Sequence, residues 1–212
     1  VVRTPYAGGI EALEHHSESP ESFFLHMQGL KVVVPSNPYN AKGLLNASIA
    51  DPDPVVFLEP KSIYRSFKDD IPDEPYEVSL GEARTVQEGT DFTLITYGAM
   101  TKLAEDTADD IADKGYNAAI IDLQTLRPLD RETVLDSVSK TGRALVLHEA
   151  PANCGFGAEL SSQIHENNIL DLAAPVKRVA APNIPYPQFA IEDYHLPGKD
   201  RLLNGVDELM QF

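Results

Sequence analysis

The chain has 212 residues, 42% of them hydrophobic and 24% charged, which is ample for one or two buried cores. A formal charge of −16 argues against a nucleic-acid partner, which needs a basic footprint, and suits high solubility or a salty cytoplasm that screens self-repulsion. No apolar run reaches membrane-spanning length, and a single cysteine, Cys154, permits neither an internal disulfide nor a thiolate metal site, so no membrane partner and a reducing cytoplasm are expected.

Val1-Val2-Arg3-Thr4-Pro5 reads as the end of a strand entering a turn, and an upstream segment is expected. His15-His16-Ser17-Glu18-Ser19-Pro20-Glu21 then places two histidines and three carboxylates (Glu14, Glu18, Glu21) at a helix start. Histidine titrates near neutrality, so a loop histidine here is either surface decoration or a proton-transfer group. Ser19 as cap, Pro20 at the first turn and Glu21 toward the dipole predict a helix with Phe23, Phe24 and Met27 on its apolar side, stopping at Gly29. A β-branched strand over 31–34 follows, then a second cap at Asn37-Pro38 and a helix over 38–50 that buries Leu44, Leu45 and Ile49. Asp51-Pro52-Asp53-Pro54 turns the chain into a strand over 55–59, and this alternation implies a parallel sheet.

From Ser66 the chain reads SFKDDIPDEP, acidic and proline-bearing, which marks a linker over 66–80 between a domain over 1–65 and a second over 81–212. In the second, strands are expected at 93–97, 118–123, 144–147 and 176–180, with helices at 101–114, 130–140 and 157–167. That pattern is an α/β fold with an open, mostly parallel sheet, to which an edge strand near Val86 turns back across Gln87-Glu88-Gly89. Gly115 and Gly142 follow lysines as helix C-terminal caps should.

Gly98 and the pair Gly155/Gly157 sit at helix starts but lack any phosphate-binding fingerprint, so tight turns are expected. His148-Glu149 ends a strand, where open α/β sheets place ligands, and is either a catalytic pair or a buried polar pair at a domain interface. Glu105, Asp106, Asp109 and Asp110 are read as a solvated acidic helix face. Tyr186, Phe189 and Tyr194, in a proline-punctuated stretch, fit either a partner-binding patch or plugs of the core.

Taken in order, several segments resemble the β subunit of the thiamine-diphosphate-dependent 2-oxo acid dehydrogenases, the decarboxylating component of the pyruvate and branched-chain complexes. They are Arg3-Thr4-Pro5-Tyr6-Ala7-Gly8-Gly9, His16-Ser17-Glu18-Ser19-Pro20-Glu21, Gly29-Leu30-Lys31-Val32-Val33-Val34-Pro35-Ser36 and Asp53-Pro54-Val55-Val56-Phe57-Leu58-Glu59-Pro60-Lys61 with Ile63-Tyr64-Arg65. Further on come Ile95-Thr96-Tyr97-Gly98-Ala99-Met100, Asp122-Leu123-Gln124-Thr125-Leu126-Arg127-Pro128-Leu129-Asp130, Lys140-Thr141-Gly142-Arg143 and His148-Glu149-Ala150-Pro151. The resemblance runs nearly end to end.

It implies the later part of a transketolase-like pyrimidine-binding domain followed by a transketolase C-terminal-type domain. It implies oxidative decarboxylation of a 2-oxo acid, with transfer of the acyl group to a lipoyl group. The implied cofactors are thiamine diphosphate and Mg2+, held largely by an α subunit of an α2β2 heterotetramer and by residues upstream of this chain, including the glutamate that activates the aminopyrimidine. The implied partners are that α subunit, a second β subunit and a lipoyl-bearing dihydrolipoyl acyltransferase core. His16 takes the place of the family's active-site histidine, with Glu18 where glutamine is usual; Ala7 and Cys154 stand where glycine is usual. Ser48, Asp51 and Asp53 match positions of a structural potassium (K+) site that the family builds largely from main-chain carbonyls. A transketolase or deoxyxylulose-phosphate synthase relative, and a non-catalytic subunit-pairing module, are the alternative readings.

Overall fold

The computed structural model describes every residue except Leu13; the side chains of Glu14 and His15, two members of the histidine–carboxylate stretch, also lie outside the described residues. The first half opens with strand β1 (Val2–Tyr6), a single turn α1 (Glu14–Ser17) and the short helix α2 (Glu21–His26). Strand β2 (Lys31–Val33), helix α3 (Pro38–Ala50) and strand β3 (Val55–Pro60) complete an alternating unit. Helix α3 begins where expected because the Asn37 side chain accepts from the Asn40 N–H at 2.8 Å and Pro38 occupies the first turn.

The second half contributes β4 (Arg84–Gln87), β5 (Phe92–Thr96), α4 (Ala99–Asp113), β6 (Ala118–Asp122) and β7 (Thr125–Arg127). It continues through α5 (Arg131–Thr141), β8 (Ala144–Pro151), α6 (Phe156–Asn168), β9 (Lys177–Ala181), α7 (Glu192–His195) and α8 (Lys199–Met210). Its sheet has the order β4-β6-β5-β8-β9, parallel except for β4 at the edge. The first sheet has the order β1-β3-β2-β7, so a strand from the second half closes the sheet of the first, antiparallel to β2. Among the described residues no helix is long and apolar enough to cross a membrane.

Three apolar layers follow from this arrangement. A central one joins the halves: Tyr6, Val32 and Leu58 of the first sheet pack with Ile95, Tyr97 and Val146 of the second and with Leu160 and Ile164 of α6. The far face of the second sheet is covered by α4 and α8 through Ala104, Ile111, Leu202 and Val206. The far face of the first is covered by α3 and by Val78 and Leu80. Residues 66–80 lack regular structure but are fastened to α3. Lys42 Nζ donates to the carbonyls of Asp73 and Glu74 at 3.0 Å, Asn46 donates to the Tyr76 carbonyl at 2.9 Å, and the Tyr39 and Tyr76 rings stack with centroids 4.5 Å apart.

Four local expectations need correction. Helix α2 starts one residue later than expected, with Pro20 as the cap, and turns Leu25 and Glu21 inward while Phe23 and Met27 face solvent. Residues four apart share a helical face, so the buried pair 21/25 fixes which side a six-residue helix hides. Ile49, five residues beyond the buried Leu44 and so on a different face, is exposed near the end of α3. The edge strand β4 pairs with β6 and not across Gln87-Glu88-Gly89 with β5. The acidic face of α4 is partly neutralised, since Glu105 meets Arg84, Asp106 meets Lys102 and Asp110 meets Lys199.

Candidate active site

His16 sits on α1, the one helical turn of a loop spanning residues 7–18, and is exposed. The loop is closed at its neck by the Ala7 N–H, which donates to the Glu18 carbonyl at 3.1 Å. Inside it, the Ser17 hydroxyl donates to the Ala12 carbonyl. Ala7, Gly9 and Glu11 all have positive φ (67°, 78° and 56°), and this alternation aims successive main-chain N–H groups to one side, a geometry suited to holding anions. Ala7 and Cys154, which stand where glycine is usual in the resembled family, have φ of 67° and 57°. Both keep a backbone conformation that glycine adopts freely and other residues adopt with strain.

The acceptors that the loop meets are carboxyl groups from the second half. Glu149 Oε1, at the end of β8, accepts the Gly8 N–H at 2.5 Å. Glu192, on α7, accepts the Gly9 N–H at 2.9 Å on Oε1 and the Glu11 N–H at 2.8 Å on Oε2, and its Oε1 also takes the Tyr186 hydroxyl. Burial pushes the Glu149 carboxyl up to about 7, against the Gly8 N–H bond, which favours the ion; the nearby Glu21 and Glu192 add to the rise. Burial likewise pushes Glu21, at the start of α2, up to about 7, although the Tyr97 hydroxyl donates to its Oε1 at 2.7 Å. A cavity of about 300 Å3 lined by Ser17, Glu18, Phe23, Glu149, Tyr186 and His195 opens beside the loop.

His148 and Glu149 are both buried and do not form a pair, because successive strand residues point to opposite faces. Glu149 bonds across the boundary between the halves, as an interface residue should. His148 faces the start of α6, and neither of its ring nitrogens has a hydrogen-bond partner among the described residues. Burial, with Arg178 nearby, holds its pKa down at about 4, so the ring is neutral at pH 7. A Cβ on Gly157 would meet His148 Nε2 at 2.4 Å, and one on Gly98 would meet Val34 at 2.9 Å, so both glycines serve close packing as expected. Tyr186 is half-buried against the site with its ring on His195 at 4.9 Å, whereas Phe189 and Tyr194 are exposed.

The residues matched to a potassium site lie at the end of α3 (Ser48) and in the turn after it (Asp51, Asp53). Ser48 Oγ donates to the Leu44 carbonyl at 2.6 Å, and the Asp51 and Asp53 carboxylates both meet Lys31 Nζ, at 2.6 and 3.2 Å. These side chains are already satisfied by protein groups, so an ion there would rest on main-chain carbonyls. Among the described residues no group of three or more His, Cys, Asp or Glu converges as a metal site.

Of the groups around the loop, Glu192 carries no signal in the sequence, and Tyr6, Tyr97 and Glu21 stand out only as members of the resembling segments. A buried carboxylate carries no signal in one sequence that separates it from a surface one.

Residues 1–66 match the family model for the transketolase pyrimidine-binding domain, and residues 81–202 match that for the transketolase C-terminal domain. The chain belongs to the transketolase family. Among its relatives are pyruvate dehydrogenase E1 component subunit beta of Bacillus subtilis (strain 168), 43% identical over 211 residues, and the proteins of the same name in Staphylococcus epidermidis and Staphylococcus aureus, each 42% identical. Each alignment covers 100% of this chain and 65% of the relative, so the chain spans about two thirds of its relatives' length. A solved split gene transketolase, described as an inactive β4 tetramer, superposes with a TM-score of 0.78 at 21% identity, covering 99% of this chain and 65% of the other; it supports the transketolase-like fold.

Proposed function

We propose that this transketolase-family chain acts as the β component of a thiamine-diphosphate-dependent 2-oxo acid dehydrogenase, with pyruvate the favoured substrate and a branched-chain 2-oxo acid the other candidate. The observation that carries the reading is the end-to-end likeness to pyruvate dehydrogenase E1 β subunits, together with an exposed His16 on a loop fixed at the boundary between the two modules. Thiamine diphosphate, when bound, supplies a carbon nucleophile and a cationic ring that takes up the electrons released with carbon dioxide. The donor set of this chain suits only the uncharged end of that cofactor. Glu18 and Glu149, which line the cavity beside the loop, would repel a diphosphate, and no described cluster suits Mg2+, so in this reading an α partner and residues upstream of this chain would hold both.

In this reading His16 orients the substrate or the incoming lipoyl group and gives a proton from its imidazole during acyl transfer. The exposure of Phe23, Met27, Phe189 and Tyr194 supports burial against companion chains, namely the α subunit, a second β subunit in an α2β2 assembly and a lipoyl-bearing acyltransferase core. A potassium ion at residues 48–53 would act structurally, through main-chain carbonyls. An unpaired, exposed Cys154 suits a reducing cytoplasm.

The test is His16→Ala in the α2β2 enzyme reconstituted with a lipoyl-domain acceptor, across a panel of 2-oxo acids and phosphosugars. Lipoyl acylation is expected to fall by about a hundredfold or more. Unchanged acylation removes His16 from the chemistry, and turnover of phosphosugars alone moves the chain to the transketolase reaction.

A further inference from the structure

Main-chain N–H groups outside helices and sheets still need partners, and where those of residues 8–11 find theirs decides what holds the His16 loop. Among the described residues the loop supplies its own neck, the Ala7–Glu18 bond, and the Ser17–Ala12 contact. The remaining acceptors lie on the other module, 141 to 183 residues away in sequence: Glu149 for Gly8, and Glu192 for both Gly9 and Glu11. Each Glu192 oxygen is committed to a loop N–H, and Tyr186 fixes the carboxylate by donating to Oε1 while its own ring rests on His195. Gly8 must lack a side chain here, since a Cβ would lie 1.9 Å from the Tyr186 hydroxyl oxygen.

We infer that Glu192 and Glu149 are positioning residues that fix the main chain of residues 8–11 from the carboxy-terminal module and so set where His16 stands. The inference rests on the reading of His16 given above. The two glutamates have unequal duties. Glu192 serves two N–H groups with two oxygens, so an amide in its place must turn an NH2 toward one of them. Glu149 serves one N–H, and an amide oxygen can replace that acceptor.

The experiment uses Glu192→Gln, Glu149→Gln and Glu149→Leu in the assembled enzyme, with amide hydrogen exchange and steady-state kinetics read on the same samples. Glu192→Gln should speed exchange across residues 8–18 and lower kcat for lipoyl acylation by about tenfold to a hundredfold, with KM for the 2-oxo acid changed by less than about twofold. Glu149→Gln should keep the exchange protection that Glu149→Leu loses, a rescue by the isosteric variant that mere bulk does not supply. Should Glu192→Gln not fold, Tyr186→Phe removes a donor to Glu192 without touching a main-chain bond, and it should move both readouts the same way by less. Unchanged exchange in Glu192→Gln overturns the clamp. Faster exchange with unchanged kcat overturns the positioning role; if His16→Ala is then also silent, the fault lies in the reading of His16, and if His16→Ala is inactive, it lies in the link between loop and histidine.

Discussion

Glu21→Gln is the sharpest probe of the polar interior. Glu21 is fully buried with one hydrogen bond, from Tyr97, while its Oε2 and the nearby Tyr6 hydroxyl have no partner among the described residues. An unfolded glutamate titrates near 4.5, whereas burial moves this one to about 7 in the native state. Between those values the native protein holds a proton that the unfolded chain has released, so stability falls as pH rises through that window. A gap of about 2.5 pKa units corresponds to about 3 kcal/mol, fully expressed only above the folded value. Glutamine has the same shape, still accepts from Tyr97 and cannot ionise. Denaturant unfolding at intervals from pH 4.5 to 8.5 should show Glu21→Gln gaining on the wild type by about 3 kcal/mol across that range, with most of the gain between pH 5 and 7.5. A difference between the two proteins that stays flat with pH would refute the reasoning. Removing the Glu21 charge should also lower the neighbouring Glu149 titration, because that charge is one of the causes of the Glu149 rise.

Two further substitutions test the backbone around the site. Ala7→Gly, at φ 67°, relieves a left-handed strain of about 1–2 kcal/mol and gives back about half of it as unfolded-chain entropy, so a net stabilisation of about 0.5–1 kcal/mol is expected in thermal unfolding. A loss of stability would mean that the methyl group packs better than the backbone strains. Gly157→Ala drives a methyl to within 2.4 Å of the buried His148 ring, which must shift beneath α6, and a loss of about 2 kcal/mol is expected in chemical unfolding. A neutral result would show that the His148 ring moves freely in its pocket.

Much of the scaffold was legible because local chemistry decided it. Asn37-Pro38 fixed the start of α3, and Gly142 at φ 67° ended α5 with its N–H on the Val138 carbonyl. The buried strands β5, β6 and β8 read as apolar runs because both of their faces are covered. Strand β7 was not legible: three residues pair with a strand more than ninety positions earlier, and nothing local distinguishes them from a loop. Helix α8 carries a stripe at helical spacing, Leu202, Val206 and Leu209, that is readable in the sequence. At the site, His16 could be singled out by residue type and Glu149 by its place at a strand end, whereas Glu192 could not. Glu192 lies between exposed residues, Ile191 and Asp193, and its burial arises only when α7 folds back against residues 9–11.

Strand β7 also bears on how such a protein can be divided. Its residues are lent back across the molecule, so a fragment ending near residue 66 would leave Lys31–Val33 as a bare sheet margin, with ladder groups ready to zip onto any extended peptide. Gene fission or domain shuffling at the 66–80 strap would therefore produce a sticky half and a half missing its dock.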